Sequence, residues 1–286
     1  MSDFVILTDS GCDICAETLA SWGAKAVCLS FKFSGEDTQY KADDISCEEF
    51  YARMREGASA KTSAINMEEF KDFFREYLAL GKDVLYLAFS SGLSNTYNAS
   101  RLAADGLLEE FPDNRVITID TLCASAGEGL LVKLAVDKKA SGADITETAR
   151  YVTAIREKLC HWFTVDDLVY LKRGGRVSPT AAFFGGMLNI KPVLHVDDEG
   201  KLVPVTMVRG RKAALSTIAQ TYAELAIDKN GTVFISHGDC MDDALAMKTL
   251  LEAKGANVEI ITFVGTVIGA HSGPGTLAVF YLGEHR

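Results

Sequence analysis

The sequence predicts an α/β protein with two domains, and three observations support this fold class. The chain has 286 residues, which is long for a single hydrophobic core of ordinary size. Short apolar runs alternate with stretches of helical periodicity, and this alternation favours a mainly parallel sheet with helices on both faces. The pattern then changes near residue 160. We therefore expect an N-terminal α/β domain over residues 1–160 and a C-terminal mixed α/β domain over residues 161–286.

The N-terminal half begins with an apolar strand, Phe4 to Gly11, and a helix from about Asp13 to Trp22. A β-rich stretch covers residues 26–33, and Ser46 with Glu49 forms a capping box that begins the next helix. The remaining alternation is predicted as helix 67–80, strand 84–89, helix 95–110, strand 116–120, and helices 126–139 and 145–159.

The C-terminal half begins with an aromatic strand at residues 161–165 and a short helix at residues 166–172. Two strands, 190–196 and 202–207, flank Asp197-Asp198-Glu199-Gly200, which is a hairpin signal. The rest is predicted as helix 212–226, strand 232–236, helix 241–253, and strands 258–263 and 276–282. A hairpin within such an alternation predicts a mixed sheet.

Composition narrows the function classes. The formal charge is −10, with 39 acidic against 29 basic residues, which argues against a nucleic-acid partner because neutralising phosphates requires a basic face. We find neither a run long enough to span a membrane nor a signal peptide, so we expect a cytoplasmic protein. The seven cysteines are dispersed, and Cys12 and Cys15 have no second pair with which to form a zinc site.

The most informative segment is the hydroxyl-rich turn from Phe89 to Tyr97, between a buried strand and a helix. We expect such a turn to present unpaired backbone N–H groups, hydroxyl donors and the positive end of the helix to one point. These groups together favour an anion such as a carboxylate or a phosphate. Ser94 is its central candidate, with Ser91, Gly92 and Asn95 as secondary ones.

Two other polar clusters are Thr62-Ser63 and the glycine-rich stretch Gly269 to Gly275, which contains His271. Ligands of open α/β sheets bind beyond the carboxyl ends of strands, so these clusters could converge with the Ser94 turn. The small neighbours of His271 predict a partly exposed imidazole.

Ser94 has three interpretations. Gly92-Leu93-Ser94-Asn95-Thr96 approaches the nucleophile elbow of a serine hydrolase, with Ser94 as nucleophile and His271 as base, although Thr96 replaces the last glycine. Ser94 could instead only cap the following helix. In the third interpretation, its hydroxyl donates a hydrogen bond to a bound anion without attacking it.

The densest basic positions are Arg173-Gly174-Gly175-Arg176 and Arg209-Gly210-Arg211-Lys212, which could receive a phosphate or an acidic partner surface. No motif for ATP, a dinucleotide or zinc is present, so we expect no cofactor and no metal.

Seven segments together resemble the DegV family, and the likeness runs from end to end. They are Thr8-Asp9-Ser10, Lys61-Thr62-Ser63, Ser90 to Tyr97, Asp120-Thr121, Leu171 to Ser178, Leu188 to Leu194 and Gly269 to Gly275. One departure is Thr62-Ser63-Ala64-Ile65-Asn66, where many members have Thr-Ser-Gln-Pro.

The resemblance implies a two-domain α/β protein that binds one long-chain fatty acid, as the lipid-binding subunit of bacterial fatty acid kinase. A separate ATP-binding subunit would phosphorylate the bound carboxyl group, giving an acyl phosphate for phospholipid synthesis. By position, Thr62, Ser94 and His271 would hold the carboxylate, with Ser63 beside them. Arg173 or Arg209 would face the kinase subunit or the phosphoryl group. The chain itself would have no catalytic centre.

A fatty acid would also need an apolar tunnel. We expect its lining to come from the small and apolar runs at residues 181–188 and 263–268, unless these only pack in the core. About fourteen methylenes at about 0.8 kcal/mol each could supply about 11 kcal/mol as an upper bound. Burial of the tail would therefore dominate affinity, and the polar end would set orientation.

Overall fold

The computed structural model describes residues 3–177 and 189–286. A four-stranded parallel sheet is formed near the N-terminus in the order β2-β1-β6-β7. Its strands are β1 (Phe4–Asp9), β2 (Ala24–Val27), β6 (Asp83–Ala88) and β7 (Val116–Asp120). The strand β6 is buried along its whole length, as its uninterrupted apolar sequence predicts for a central parallel strand.

A six-stranded mixed sheet is formed by later residues, in the order β10-β9-β8-β13-β11-β12. Its strands are β8 (Leu159–Thr164), β9 (Ile190–Val196), β10 (Leu202–Arg209), β11 (Thr232–His237), β12 (Asn257–Phe263) and β13 (Leu277–Leu282). Strands β11 and β12 pair in parallel, the other neighbouring strands of this sheet pair antiparallel, and β9 and β10 form the predicted hairpin. The mixed α/β fold class is confirmed. The domain boundary between residues 160 and 161 stays a prediction.

A third, three-stranded antiparallel sheet has the order β4-β3-β5, with β3 (Ser30–Phe33), β4 (Tyr40–Lys41) and β5 (Ala60–Ser63). The sequence predicted only its central part, because β4 is two residues long and β5 has little apolar character. Thr62 pairs with Phe31 within β5. It therefore lies inside an antiparallel strand rather than beyond the end of a parallel one.

The helices are α1 (Ala16–Ser21), α2 (Cys47–Arg55), α3 (Met67–Leu78), α4 (Thr96–Leu107), α5 (Ala126–Ala140), α6 (Ile145–Ile155), α7 (Val169–Gly174), α8 (Arg211–Leu225), α9 (Met241–Glu252) and α10 (Thr266–Ser272). The helix α1 begins three residues later than predicted, because Asp13 adopts a left-handed conformation with φ of 51° that no α-helix accommodates. The described residues contain no helix both long and apolar enough to cross a membrane.

The core connects the sheets. Along β6, Leu85 and Leu87 point into one apolar cluster, and Val84, Tyr86 and Ala88 point into another. The first cluster includes residues of α5 and α6 and continues to Phe163 and Phe280 of the mixed sheet, and the second includes residues of α3 and α4 together with Val267 of α10. Both faces of the parallel sheet are thus covered by helices.

Candidate functional site

A largely apolar cavity of about 250 Å³ lies among these layers. Its apolar lining includes Phe89, Leu171, Val267, Ala278 and Phe280, which come from segments that are distant in sequence. Thr62, Ser94 and His271, the three residues predicted to hold an anion, all line it as well. The fold therefore brings three predicted polar residues and a long apolar surface to the same space.

The polar groups are held by hydrogen bonds to one another. Thr62 Oγ1 lies 2.7 Å from Nε2 of His271, joining β5 to the last turn of α10. Ser94 Oγ lies 2.8 Å from Oγ1 of Thr96 and accepts a bond from the Thr96 amide at 3.3 Å. Within the described part of the chain, no hydrogen bond joins Ser94 to His271.

His271 is only partly exposed, as predicted, and it is uncharged at neutral pH. Burial lowers the pKa of its imidazole to about 4, and the positive charge of Arg176 acts in the same direction. Gly174 allows the close packing of this ring, since a Cβ atom there would lie 2.2 Å from Nδ1 of His271. A neutral imidazole can donate one hydrogen bond and accept another.

His271 lies in the helix α10, whereas the sequence pattern predicted no helix between the strands at residues 258–263 and 276–282. Gly269 is in this helix because of packing: a Cβ atom there would lie 2.5 Å from the hydroxyl oxygen of Tyr51. Gly273, with φ of 78°, ends the helix, as a glycine beyond the last turn often does.

Four backbone amides of the Ser94 turn already have acceptors, whereas the prediction had the amides of this turn unpaired. Ser91 N donates to Asp120 Oδ1, and Gly92 N donates to Ser90 Oγ. The amides of Leu93 and Ser94 both donate to the carbonyl oxygen of Ser90. These four amides are therefore not available to an anion, whereas Ser94, with its hydroxyl, lines the cavity.

The secondary candidates separate into two groups. Ser63 and Asn95 line the cavity, whereas the lining does not include Ser91 or Gly92. Gly92 packs on the hairpin between β9 and β10, where a Cβ atom would lie 2.6 Å from the carbonyl oxygen of Glu199. Its role in the structure is thus to allow close approach of two backbones.

Arg176 belongs to the basic segment that the sequence predicted to receive a phosphate or an acidic partner, but it was not singled out within that segment. It lines the cavity, and its guanidinium donates to the carbonyl oxygens of Leu93 at 3.3 Å and Gly174 at 2.6 Å. Arg173, which the resemblance singled out, is exposed and lies 5.9 Å from the ring of Tyr170. Arg209 is also exposed, and it is not among the residues that line the cavity. The sequence feature that points to Arg176 is the basic, glycine-containing segment at residues 173–176, which it shares with Arg173.

The alternatives for Ser94 can be compared with this geometry. A serine hydrolase needs the serine hydroxyl within reach of the histidine base, whereas here Ser94 bonds Thr96 and His271 bonds Thr62. The N-cap of α4 is Asn95, and its side chain makes no capping bond. The hydroxyl of Ser94 accepts a hydrogen bond from the amide of Thr96, the first residue of α4. Ser94 can therefore cap the helix and also contact the cavity.

The predicted tunnel lining is seen in part. Val264, Val267 and Ile268 of the second run line the cavity, while the run at residues 181–188 lies outside the described residues. Strand β13 and the residue before it were missed as lining. Thr276, Ala278 and Phe280 face the cavity at a spacing of two, the period of side chains on one face of a strand.

Two other sequence features do not belong to this site. Cys12 is fully buried, Cys15 is exposed and both are free thiols. Burial raises the pKa of the Cys12 thiol well above its usual value. Over residues 3–177 and 189–286, no group of three or more His, Cys, Asp or Glu side chains could hold a metal ion.

A family model described as uncharacterised protein, DegV family, matches residues 3–284. The chain belongs to the DegV family. A DegV domain-containing protein of Clostridium perfringens is 41% identical over 292 residues, covering 100% of this chain and 99% of the relative. One from Streptococcus pyogenes serotype M3 is 38% identical, covering 99% of each chain.

Solved DegV structures have the same fold. A DegV family protein from Thermus thermophilus, described by its fatty acid binding, is 32% identical with a TM-score of 0.87, and the match covers 99% of this chain and 100% of that one. A stearic acid-binding protein from Eubacterium ventriosum is 26% identical with a TM-score of 0.88, covering 97% and 98%.

Proposed function

We propose that this protein binds a long-chain fatty acid in the cavity and presents its carboxyl group to a separate ATP-binding kinase subunit, which forms the acyl phosphate. The observation that carries the proposal is the joining of a long apolar lining to the hydroxyls of Thr62 and Ser94, the imidazole of His271 and the guanidinium of Arg176. Fatty acid binding by structural relatives supports it.

Each polar group has a role in the proposed complex. The hydroxyls of Thr62 and Ser94 would donate to the carboxylate, and charge-assisted bonds of this kind are stronger than neutral ones. His271 is held uncharged by burial, so it would position the Thr62 hydroxyl. Arg176 would supply positive charge beside the carboxylate, against the field of an acidic chain.

The proposed role needs no catalytic residue, metal or resident cofactor in this chain, because the phosphoryl transfer belongs to the kinase subunit. Arg173 and Arg209 are exposed and would contact that subunit or the phosphoryl group. We place the protein in the cytoplasm, where ATP and the enzymes of phospholipid synthesis would meet it.

Binding is tested with delipidated protein and palmitic acid. Ser94→Ala and Thr62→Val should each weaken binding by about tenfold or more, because each removes a hydrogen bond to a charged group. Ser91→Ala is the matched control, since Ser91 is in the same turn but outside the cavity lining. Mass spectrometry of lipid extracts should also find a fatty acid at stoichiometric amount. Equal affinity in all variants, or loss of ester hydrolysis on Ser94→Ala, would contradict the proposal.

Presentation is tested separately, with a purified ATP-binding fatty acid kinase subunit, palmitic acid and MgATP. Acyl phosphate trapped with hydroxylamine should require both proteins. Arg209→Ala and Arg173→Ala should slow its formation while leaving palmitate affinity unchanged, whereas Arg176→Ala should lower both. Acyl phosphate formed by this chain alone would refute a purely presenting role.

A further inference from the structure

Arg286 is only 8% exposed, and its guanidinium binds mainly to backbone carbonyl oxygens. Nη1 donates to the carbonyl oxygens of Leu122 at 2.6 Å and of Asp197 at 3.1 Å. Nη2 donates to the carbonyl oxygen of Arg156 at 2.6 Å and to Sγ of Cys123 at 3.5 Å. Each terminal nitrogen of a guanidinium has two N–H groups, and here all four have an acceptor. One side chain thus joins three segments that are distant in sequence.

Two of these contacts hold the loop between β7 and α5. Leu122 in this loop has φ of 55°, a conformation that a residue other than glycine keeps only when its surroundings hold it in place. The bond from Arg286 to the carbonyl oxygen of Leu122 is such a restraint. The carbonyl oxygen of the next residue, Cys123, accepts from the amide of Ser90 at 3.0 Å. Arg286 therefore restrains a loop to which the Ser94 turn is bonded.

The contact with Asp197 leads from Arg286 to the same turn by a second route. The carbonyl oxygen of Asp197 accepts from Arg286 and also from the amide of Gly200, at 2.9 Å, within the β9–β10 hairpin. The carbonyl oxygen of Gly200 accepts from Ser90 Oγ at 2.8 Å. Ser90 then holds the turn, because its own carbonyl oxygen accepts from the amide of Ser94 at 3.1 Å. Both routes meet at Ser90.

Among the described residues that line the cavity, Ser94 is present, whereas Ser90 and Arg286 are not. We infer that Arg286 is a positioning residue for the carboxyl end of the ligand, which fixes the Ser94 hydroxyl through Ser90 without touching the ligand. The inference rests on the proposed function, since it assumes that Ser94 donates to the carboxylate. The alternative is that only the positive charge of Arg286 matters, which a lysine would retain.

The test is a double-mutant cycle that measures palmitate affinity on delipidated protein. Arg286→Ala alone should weaken binding by about three- to tenfold, because the Ser94 hydroxyl loses its fixed direction. In the Ser94→Ala background the same change should weaken binding by less than about twofold, since the group that Arg286 positions is already absent. In the Val267→Ala background, which removes an apolar contact of the lining, the loss should equal that of Arg286→Ala alone.

Arg286→Lys separates geometry from charge, because lysine has all its donors on one nitrogen and cannot reproduce the four bonds. It should bind palmitate more weakly than the wild type, and full affinity would overturn the inference. An equal loss from Arg286→Ala in all three backgrounds would also overturn it, since general damage to the fold does not depend on Ser94. Should Arg286→Ala fold poorly, Arg286→Lys takes its place in the cycle. If the wild type bound no palmitate, the proposed function would fall instead.

Discussion

His271 illustrates how the surroundings of one side chain set its chemistry. A solvated histidine has a pKa near 6.5, but burial and the neighbouring Arg176 lower the pKa of this one to about 4. The ring is therefore neutral at physiological pH and bonds Thr62 at 2.7 Å. In the proposed complex, Arg176 would therefore supply the positive charge beside the carboxylate, and His271 would orient the Thr62 hydroxyl.

The pKa of His271 predicts how stability depends on pH. Because the unfolded state binds a proton near pH 6.5 and the folded state only near pH 4, the unfolding free energy should fall as pH decreases through this window. His271 alone should account for about 3 kcal/mol. His271→Gln cannot titrate, so denaturant unfolding from pH 7 to 4 should show a flatter profile for it.

The matched control for this prediction is His285→Gln, which makes the same substitution at an exposed histidine outside the cavity lining. The other titrating groups contribute equally to the wild type and to each variant, so the differences between curves isolate the replaced ring. Parallel curves for wild type and His271→Gln would show that the imidazole is solvated in the folded state.

At the scale of elements, the sequence predicted the segments with a regular apolar pattern. Strand β6 and helices α4 and α5 lie within a few residues of their predicted bounds, because their apolar periodicity coincides with burial. Short elements were missed where tertiary contacts override local signals. Strand β5 has little apolar character, and α10 contains Gly269 because the helix packs against Tyr51.

The candidate site was predicted in its residue types but not in its contacts. Thr62, Ser94 and His271 stand in three polar clusters of the sequence, and the resemblance to the DegV family assigned them to the carboxylate. The occupied amides of the Ser94 turn depend on Asp120 and Ser90, whose positions only the fold determines. The same holds for Arg176, because the sequence gives no reason to separate it from Arg173.

The contact between the Ser94 turn and the β9–β10 hairpin gives a prediction at this scale. Gly92→Ala would place a Cβ atom 2.6 Å from the carbonyl oxygen of Glu199 and 2.8 Å from that of Gly200. Backbone must therefore move, and we expect a loss of about 1–3 kcal/mol in unfolding free energy, with weaker palmitate binding. Denaturant unfolding and binding measurements on the same protein check both.

Gly106→Ala is the control, since Gly106 lies in the adjacent helix α4. A Cβ atom there would meet the end of the flexible Lys71 side chain, Cε at 3.0 Å and Nζ at 3.6 Å, and alanine favours a helix by about 1 kcal/mol over glycine. The control should thus leave stability equal or higher. A loss of the same size in both variants would mean that the hairpin contact contributes nothing specific.

For the whole molecule, the cavity couples parts of the chain that are far apart in sequence. Its lining extends from Leu29 to Phe280 and includes β5, the Ser94 turn, α10 and the strands β8 and β13. A ligand that fills the cavity would contact all of these elements at once. Binding should therefore stabilise the protein as a unit, although the net charge of −10 would slow the approach of an anion.

This coupling predicts the effect of loading. Palmitic acid at about one hundred times its dissociation constant should raise the unfolding free energy of the delipidated protein by about 2.7 kcal/mol, which calorimetry would detect as a higher Tm. Hydrogen exchange should slow together in β5, α10 and β13, because each contributes to the lining. Ser94→Ala should show the same pattern only at higher ligand concentration, since it retains the apolar lining. Protection confined to one sheet, with no rise in Tm, would contradict binding in this cavity and indicate a surface site instead.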